Sequence, residues 1–183
     1  MKRIKLAMIR KNMLDIPQYE LPEGFQMRLF QKGDEQKWAN TETRVDEFKD
    51  EEAALAHFEK EFGAYVDEMT ERCLFIEDEQ GEVIATTTAW YGELEGEDEV
   101  LGRIHWVGVV PEYQGRKLAK PLLSAAMNIL ASKHSKAYLT SQTTSYQAVN
   151  MYLNYGFEPL FMNPTCQEAW ELMEKTLNRK ILN

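Results

Sequence analysis

The sequence has few of the residues that mark a disulfide-bonded, metal-binding or membrane-spanning protein. Only 2 of its 183 residues are cysteines. Neither Cys73 nor Cys166 belongs to a CxxC motif or to a Cys/His pair with metal-ligand spacing. No apolar stretch is long enough to span a bilayer, and Arg10 and Lys11 end the apolar stretch near the N-terminus too early for a signal peptide. We therefore expect no disulfide, metal centre or membrane span, and a reducing, cytoplasmic location.

An excess of positive charge is also lacking. Lysine and arginine total 21 against 30 aspartates and glutamates, so the formal net charge is -9. General nucleic-acid binding needs a basic face that displaces counterions from phosphates, so we expect no nucleic-acid partner. A local cluster of cations can still bind an anionic ligand against the overall sign of the charge.

The length of 183 residues and the hydrophobic content of 44% are typical of one soluble domain with a sizeable core. The patterns predict a mixed α/β domain, a strand meander followed by βαβ units, over residues 25–183. Residues 1–24 are interpreted as an N-terminal extension, with an extra strand or an arm before a Pro-containing connector. The predicted elements are strand 25–31, a short helix capped by Asp34, helix 49–63 stopped by Gly63, hairpin 72–92, strand 100–110, helix 115–134, strand 136–142, helix 145–156, strand 157–162 and helix 165–181.

A strand-to-helix corner carries many cations for an acidic chain. The stretch VVPEYQGRKLAKPLLSAAM runs from Val109 to Met127, and Pro111 ends its strand. The first backbone N–H groups of the next helix have no intrahelical partner and, with the helix dipole, favour a phosphate. Arg116, Lys117 and Lys120 add full charges at the same point. The corner predicts a pyrophosphate site, and an ordinary solvated helix start is the alternative.

The same corner resembles the acyl-CoA loop of the GNAT superfamily of N-acetyltransferases. That family has Gln or Arg, two free positions, Gly, one free position, and then Gly or Ala. A second block, AVNMYLNYGF, resembles the family's Ala-x-x-x-Tyr-x-x-x-Gly-Phe motif, and the resemblance covers residues 72–162. It implies the GNAT fold, a central mixed, mostly antiparallel sheet flanked by helices. The matching loop positions are Gln114, Gly115, Arg116, Lys117, Leu118 and Ala119, and those of the second block are Ala148, Tyr152, Gly156 and Phe157.

Lys117 departs from the family pattern, which has glycine there. Glycine adopts positive φ freely and lets the backbone approach a phosphate, whereas lysine brings a Cβ atom and a charge. We expect acetyl-CoA to bind as cosubstrate, with Lys117 neutralising a phosphate. For Asn150, an exposed helix asparagine is the alternative to a cofactor contact. The resemblance implies that the cosubstrate contacts the six loop residues, Lys120, the strand residues Val107, Gly108 and Val109, and Asn150.

The resemblance implies transfer of an acetyl group from acetyl-CoA to a primary amine. This reaction needs a group that takes a proton from the amine and a group that gives one to the leaving thiolate. Tyr152 lies where the family places its general acid, and a tyrosine that only packs against the sheet is the alternative.

The sequence also offers a candidate for the group that takes the proton from the amine. The period of a strand puts Arg103, His105, Val107 and Val109 on one face, which makes His105 a candidate base if that face borders the thioester. Arylalkylamine-type members of the family have a histidine at the equivalent place, whereas others have a Glu where Arg103 lies. A half-solvated sheet histidine and a water relay to a loop carboxylate are the alternatives. His57 and His134 are interpreted as surface helix residues.

The sequence indicates the acceptor less specifically than it indicates the cosubstrate. Acidic clusters at 46–52 and 93–99 would attract a cationic amine, although acidic loops also serve solubility alone. We expect the acceptor to be a small-molecule amine, with a peptide N-terminus or a protein lysine as alternatives. For the oligomeric state, a homodimer is one alternative. The second hypothesis for function is a non-catalytic acyl-CoA binding or sensing module on the same fold. A nucleotide-phosphate protein is the third, although no GxxxxGK[ST] or GxGxxG motif is present.

Overall fold

The computed structural model describes residues 1–182, which form one seven-stranded sheet with helices on both faces. Short 3₁₀ turns lie at Gly63–Tyr65, Pro111–Tyr113 and Thr143–Ser145. Among the described residues, no helix combines the length and the apolar sequence needed to cross a membrane. The elements are β1 (Lys5–Arg10), β2 (Gln26–Leu29), α1 (Glu35–Arg44), α2 (Glu51–Phe62), α3 (Val66–Arg72), β3 (Cys73–Glu77), β4 (Val83–Gly92), β5 (Leu101–Val109), α4 (Ala119–Ala131), β6 (Ala137–Gln142), α5 (Tyr146–Asn154), β7 (Glu158–Leu160) and α6 (Thr165–Leu177).

The sheet has the strand order β2-β3-β4-β5-β6-β1-β7. Strands β2 to β5 form an antiparallel meander, and α4 then crosses to β6, which pairs with β5 in parallel. The remaining pairs, β6 with β1 and β1 with β7, are antiparallel. The expected mixed, mostly antiparallel sheet flanked by helices is therefore confirmed.

Two apolar clusters lie on opposite faces of this sheet. The larger cluster includes Leu122 and Met127 of α4 and Trp170 of α6, all buried. The smaller cluster is rich in aromatic side chains, among them Trp38 of α1 and Phe62 of α2. Burying each such side chain stabilises the fold by roughly 2–3 kcal/mol. Because strand side chains alternate between the faces, the helices of the two clusters hold the sheet from both sides.

Strand β1 comes from the segment that the sequence analysis set apart as an extension. It lies between β6 and β7, so the extra-strand alternative describes this segment and the arm does not. Its Arg10 is buried, and the guanidinium donates hydrogen bonds to the backbone oxygens of Tyr155, Leu14 and Asn12. The division of the chain at residue 24 stays a prediction, but β1 itself is part of the sheet of the domain.

Two local predictions differ from the structure. Gly63 has φ −55, an ordinary helical value, so the chain continues from α2 through a 3₁₀ turn into α3, which the sequence analysis did not predict. Asp34 precedes α1 but makes no side-chain cap. Its carboxylate instead pairs with Arg28 of β2 at 2.6 Å and accepts the Gln31 N–H at 2.8 Å. Asp34 is buried next to Arg28, and this favours the ion pair over the predicted N-cap of α1.

Candidate functional site

A bulge interrupts β5 in the middle of the sheet. Thr86 of β4 faces Gly108, but Thr88 faces His105, so a single β4 residue lies opposite two residues of β5. Trp106 takes φ 50 at this point. The extra residue reverses the alternation of side chains.

The bulge corrects the expectation that four strand residues share one face. His105 points to α2 and the smaller cluster, where its ring lies 6.3 Å from that of Phe62. Val107 and Val109 instead pack against the larger cluster on the other face. A strict period of two fails here because it assumes an unbroken ladder.

Strands β5 and β6 separate after a short parallel contact. Their register contains only Gly102 with Ala137 and Arg103 with Tyr138 within residues 1–182. Val107, Gly108 and Val109 lie beyond this contact, and on their other side the strand still pairs with β4. The Val109 oxygen accepts a hydrogen bond from Gln114 Nε2 at 3.0 Å. The other backbone groups of β5 that face the gap are available to hydrogen bond an extended ligand or a carbonyl oxygen.

The loop after β5 has the shape expected of a phosphate-binding turn. Gly115 has φ 78 and Lys117 has φ 63, so lysine takes the left-handed conformation that glycine favours. Leu118 precedes α4 without a side-chain hydrogen bond to the helix. The first N–H groups of α4 therefore remain available to an anion.

Three cations surround this helix start. The Arg116 guanidinium lies 4.6 Å from the centre of the Tyr113 ring, whose hydroxyl donates to Asp78 Oδ2 at 2.5 Å. Lys120 Nζ lies 4.8 Å from the ring of Tyr19, in the connector after β1. Across the described part of the chain, Arg116, Lys117 and Lys120 form no ion pair with a carboxylate. The corner residues predicted from the sequence, Gln114 to Lys120, thus lie together around one uncapped helix end.

Tyr152 and Asn150 lie on α5, on the larger cluster's side of the sheet. Tyr152 is buried, with its ring 6.1 Å from that of Phe157. Burial raises the pKa of its phenol further above neutral pH, so the group is protonated there. The Asn150 side-chain oxygen accepts a hydrogen bond from Arg179 at 3.2 Å. Both residues are placed on the helix as the sequence predicted, and their roles stay predictions.

On the opposite face of the sheet, one carboxylate accepts hydrogen bonds from three side chains. Glu61 of α2 accepts from His105 Nε2 at 2.5 Å, from Trp106 Nε1 at 3.0 Å and from His57 Nε2 at 2.8 Å. Burial alone would raise the pKa of Glu61, but these bonds outweigh it and lower the pKa to about 2. Burial lowers the pKa of His105, and Glu61 partly opposes this shift. At neutral pH the carboxylate is ionised and the His105 ring is neutral.

The hydrogen bond to Glu61 also selects one form of the His105 ring. A carboxylate only accepts, so Nε2 carries the ring proton. The lone pair is then on Nδ1, which has no hydrogen-bond partner among residues 1–182. Such a nitrogen can take a proton from a substrate.

These residues line an open pocket of about 480 Å³ beside the bulge. Trp106 contributes both the bulge and part of the pocket wall, so the pocket adjoins the point where β5 leaves β6. The acidic loop at 93–99 lines a separate cavity instead. The pocket lining consists of His57, Lys60, Glu61, Arg103, His105 and Trp106.

Sequence reasoning did not predict Glu61, His57 or Trp106 at this site. His57 was interpreted as a surface residue, but it lines the pocket and bonds Glu61 one turn later on α2. That spacing of four residues on a helix is a signal that could have found the pair. His134 lies just after α4 rather than within it, with its ring 6.2 Å from that of Tyr91.

The chain is similar to known proteins in both sequence and structure. Residues 34–157 match the model of the Acetyltransferase (GNAT) family. The mycothiol acetyltransferase of Streptomyces griseus is 26% identical over 159 residues, which are 84% of this chain and 50% of that protein. The mycothiol acetyltransferase of Kocuria rhizophila is 28% identical over 150 residues, 79% of this chain and 50% of that protein. The chain therefore spans about half the length of these curated relatives.

Solved structures show the same fold. A GCN5-related N-acetyltransferase from Sphaerobacter thermophilus matches with a TM-score of 0.65 and 23% identity, over 86% of this chain and 49% of that one. An acetyltransferase from the GNAT family of Colwellia psychrerythraea matches with a TM-score of 0.64 and 9% identity, over 87% of this chain and 54% of that one. At these identities the likeness concerns the arrangement of the strands and helices.

Proposed function

Because the chain belongs to the GNAT acetyltransferase family, we propose that it transfers the acetyl group of acetyl-CoA to a primary amine of a small molecule. The observation that carries the proposal is the path of β5, which bulges at Trp106, separates from β6 and leads directly into the cationic corner. One continuous stretch thus offers free backbone groups for an acyl chain and unpaired cations for a pyrophosphate.

The donor would lie along this stretch. Its pyrophosphate fits the N-terminus of α4, where Arg116, Lys117 and Lys120 have no carboxylate partner in the described residues. Its amide-containing arm fits the gap between β5 and β6, beside Val107, Gly108 and Val109. Fixed backbone N–H groups aimed at the thioester oxygen would stabilise the charge that develops there.

The two proton transfers are assigned to opposite faces of the sheet. His105 Nδ1 takes a proton from the acceptor ammonium, and Glu61 holds the ring by its Nε2–H group. The amine nitrogen then bonds to the acetyl carbonyl carbon, the bond from that carbon to sulfur breaks, and the nitrogen releases a second proton to solvent as the amide forms. Tyr152, on the α5 face, gives its phenolic proton to the leaving sulfur and later regains a proton from solvent. An acyl group in the gap between β5 and β6 would lie between these two groups.

The small-molecule acceptor is supported by the size of the pocket and by the relatives. An open pocket of about 480 Å³ holds a small molecule. The matched curated relatives are named mycothiol acetyltransferases.

The proposal is tested by calorimetric titration with acetyl-CoA together with an assay of thiol release in the presence of primary amines. We expect micromolar binding that is lost in Arg116→Glu and kept in Lys175→Glu, a matched charge reversal on α6.

Tyr152→Phe should lower turnover about 10- to 100-fold and change acetyl-CoA affinity less than about twofold. Equal losses of turnover and affinity in Tyr152→Phe would remove the acid role. Binding without thiol release from any amine would instead support a non-catalytic acyl-CoA module.

A further inference from the structure

The pocket beside the bulge has a charge opposite to that of the whole chain. The protein carries a net charge of -9. Yet the described residues that line this pocket include two cations, Lys60 and Arg103, and a single carboxylate, Glu61. That carboxylate already accepts hydrogen bonds from His57, His105 and Trp106. A ligand that enters the pocket therefore meets uncompensated positive charge.

The two cations of the pocket lack acidic partners among the described residues. Neither Lys60 nor Arg103 forms an ion pair within residues 1–182. The Arg103 Nε atom is buried and has no hydrogen-bond partner, and its guanidinium lies 5.7 Å from the Tyr138 ring. Leaving such a donor without a partner is costly, so an unpaired guanidinium at the wall of a pocket favours an anionic ligand.

The spacing of the strand relates this anion site to the reaction centre. Arg103 and His105 are alternate residues of β5 ahead of the bulge, so their side chains leave the same face about 7 Å apart. An amine at His105 and an anionic group at Arg103 would therefore belong to one short molecule.

We propose that the acceptor is an amine that also carries a carboxylate, such as an amino acid, which Arg103 and Lys60 bind while His105 takes the proton from its amino group. This inference rests on the proposed function and names the substrate class of the same site. It replaces the expectation that an acidic rim attracts a simple cationic amine.

Matched pairs of acceptors test the inference. Thiol release from acetyl-CoA is measured with 4-aminobutyrate against butylamine, and with phenylalanine against phenethylamine and phenylalaninamide. We expect kcat/KM to favour the acid by about tenfold to a hundredfold in at least one pair. Phosphoethanolamine against ethanolamine distinguishes a phosphate from a carboxylate, and a preference confined to the phosphate would overturn the carboxylate assignment.

Variants assign the preference to the two cations. Arg103→Gln and Lys60→Gln should each reduce the preference for the acid at least several-fold, while Lys175→Gln on α6 should not change it. Lys60 is exposed, so its variant stays informative if replacing the partly buried Arg103 disturbs folding. An equal kcat/KM for acid and amide would overturn the inference even if thiol release is fast.

A binding measurement separates this inference from the proposed function. Calorimetric titration with the same acids and amides needs no turnover. Tighter binding of the acids, reduced in Lys60→Gln, would support the anion site even if no acceptor released thiol, and the proposed function alone would then fail. Equal binding of acids and amides, or no binding of any acid at millimolar concentration, would overturn the inference.

Discussion

Lys117 occupies a backbone conformation that suits glycine better. Its φ of 63 places it in the left-handed region, next to Gly115 at φ 78. A side chain with a Cβ atom costs roughly 1 kcal/mol there. The loop lies between β5 and α4. Lys117 therefore adds a charge to the loop at a backbone conformation that glycine favours.

Lys117→Gly should raise the free energy of unfolding by about 0.5–1 kcal/mol, because the backbone strain is removed. The same change should weaken acetyl-CoA binding, more at low salt than at high salt, because a cation is lost. Urea unfolding and calorimetry at two salt concentrations measure these effects. Lys117→Ala is the control, since it removes the charge but keeps the Cβ atom. If alanine stabilised the protein as much as glycine, strain would not be the cause.

Glu42 is a second residue in an unfavourable environment, because its ionisable carboxyl group is buried. It lies in α1, fully buried, and neither carboxylate oxygen has a hydrogen-bond partner in the described part of the chain. Burial, with a smaller contribution from Glu47, raises the pKa of Glu42 from 4.5 to about 8. The folded protein therefore holds a proton here that the unfolded chain releases near its ordinary pKa.

This difference predicts that the contribution of Glu42 to stability falls as pH rises. Between about pH 4.5 and about pH 8 the folded state binds one proton more than the unfolded state at Glu42, so the contribution of Glu42 to the free energy of unfolding decreases with pH. In Glu42→Gln this contribution is absent. Relative to the wild type, the variant should gain more than about 1 kcal/mol between pH 5 and pH 8 in urea unfolding. A difference that did not change with pH would show that Glu42 is ionised when buried.

At the scale of elements, the end of α5 depends on contact with β1. Gly156 follows α5 with φ 80, and a Cβ atom there would lie 3.1 Å from Arg10 Nη1. Arg10 in turn donates to the Tyr155 backbone oxygen at the same helix end. The glycine thus ends the helix and also leaves room for the buried guanidinium.

Gly156→Ala should destabilise the protein by about 1–2 kcal/mol, because backbone strain adds to a close contact. Gly81→Ala is a matched control. Gly81 has φ 79 in the turn between β3 and β4, but nothing lies within 4 Å of its Cβ position. Chemical denaturation of both variants should therefore show a larger loss for Gly156→Ala. Equal losses would mean that Arg10 moves aside at no cost.

Elements with strong local patterns were predicted from the sequence, and long-range features were not. The β3–β4 hairpin, β5 and α4 follow from alternation, turn residues and an amphipathic repeat. The cationic corner was predicted because its residues are neighbours in the chain. The bond between Glu61 and His105 joins residues 44 positions apart, and the bulge depends on register with β4. Neither is encoded in a local pattern.

At the scale of the whole molecule, β1 is an integral part of the sheet. It pairs with β6 along its full length, from Lys5 with Gln142 to Arg10 with Ala137, and with β7 on its other side. Its Leu6 and Met8 are buried in the larger cluster. Without β1, β6 would expose a new strand edge and β7 would have no partner in the described residues.

Removal of residues 1–10 should therefore abolish cooperative unfolding. The loss of an interior strand costs more than the roughly 5–15 kcal/mol by which a typical domain is stable. Circular dichroism during thermal unfolding measures this, and a synthetic peptide of residues 1–12 added to the truncated chain should restore the transition. A truncated chain with an unchanged midpoint would show that β1 is a removable arm.

The place of β1 also determines the order in which the sheet can form. It is made before every other strand, yet it lies between β6 and β7, which are made after all the others. Closing contacts so distant along the chain slows folding, because the chain entropy is lost before the contacts form. Throughout synthesis the apolar residues of β1 have no partner strand, so the nascent chain is most prone to aggregate until β6 and β7 emerge.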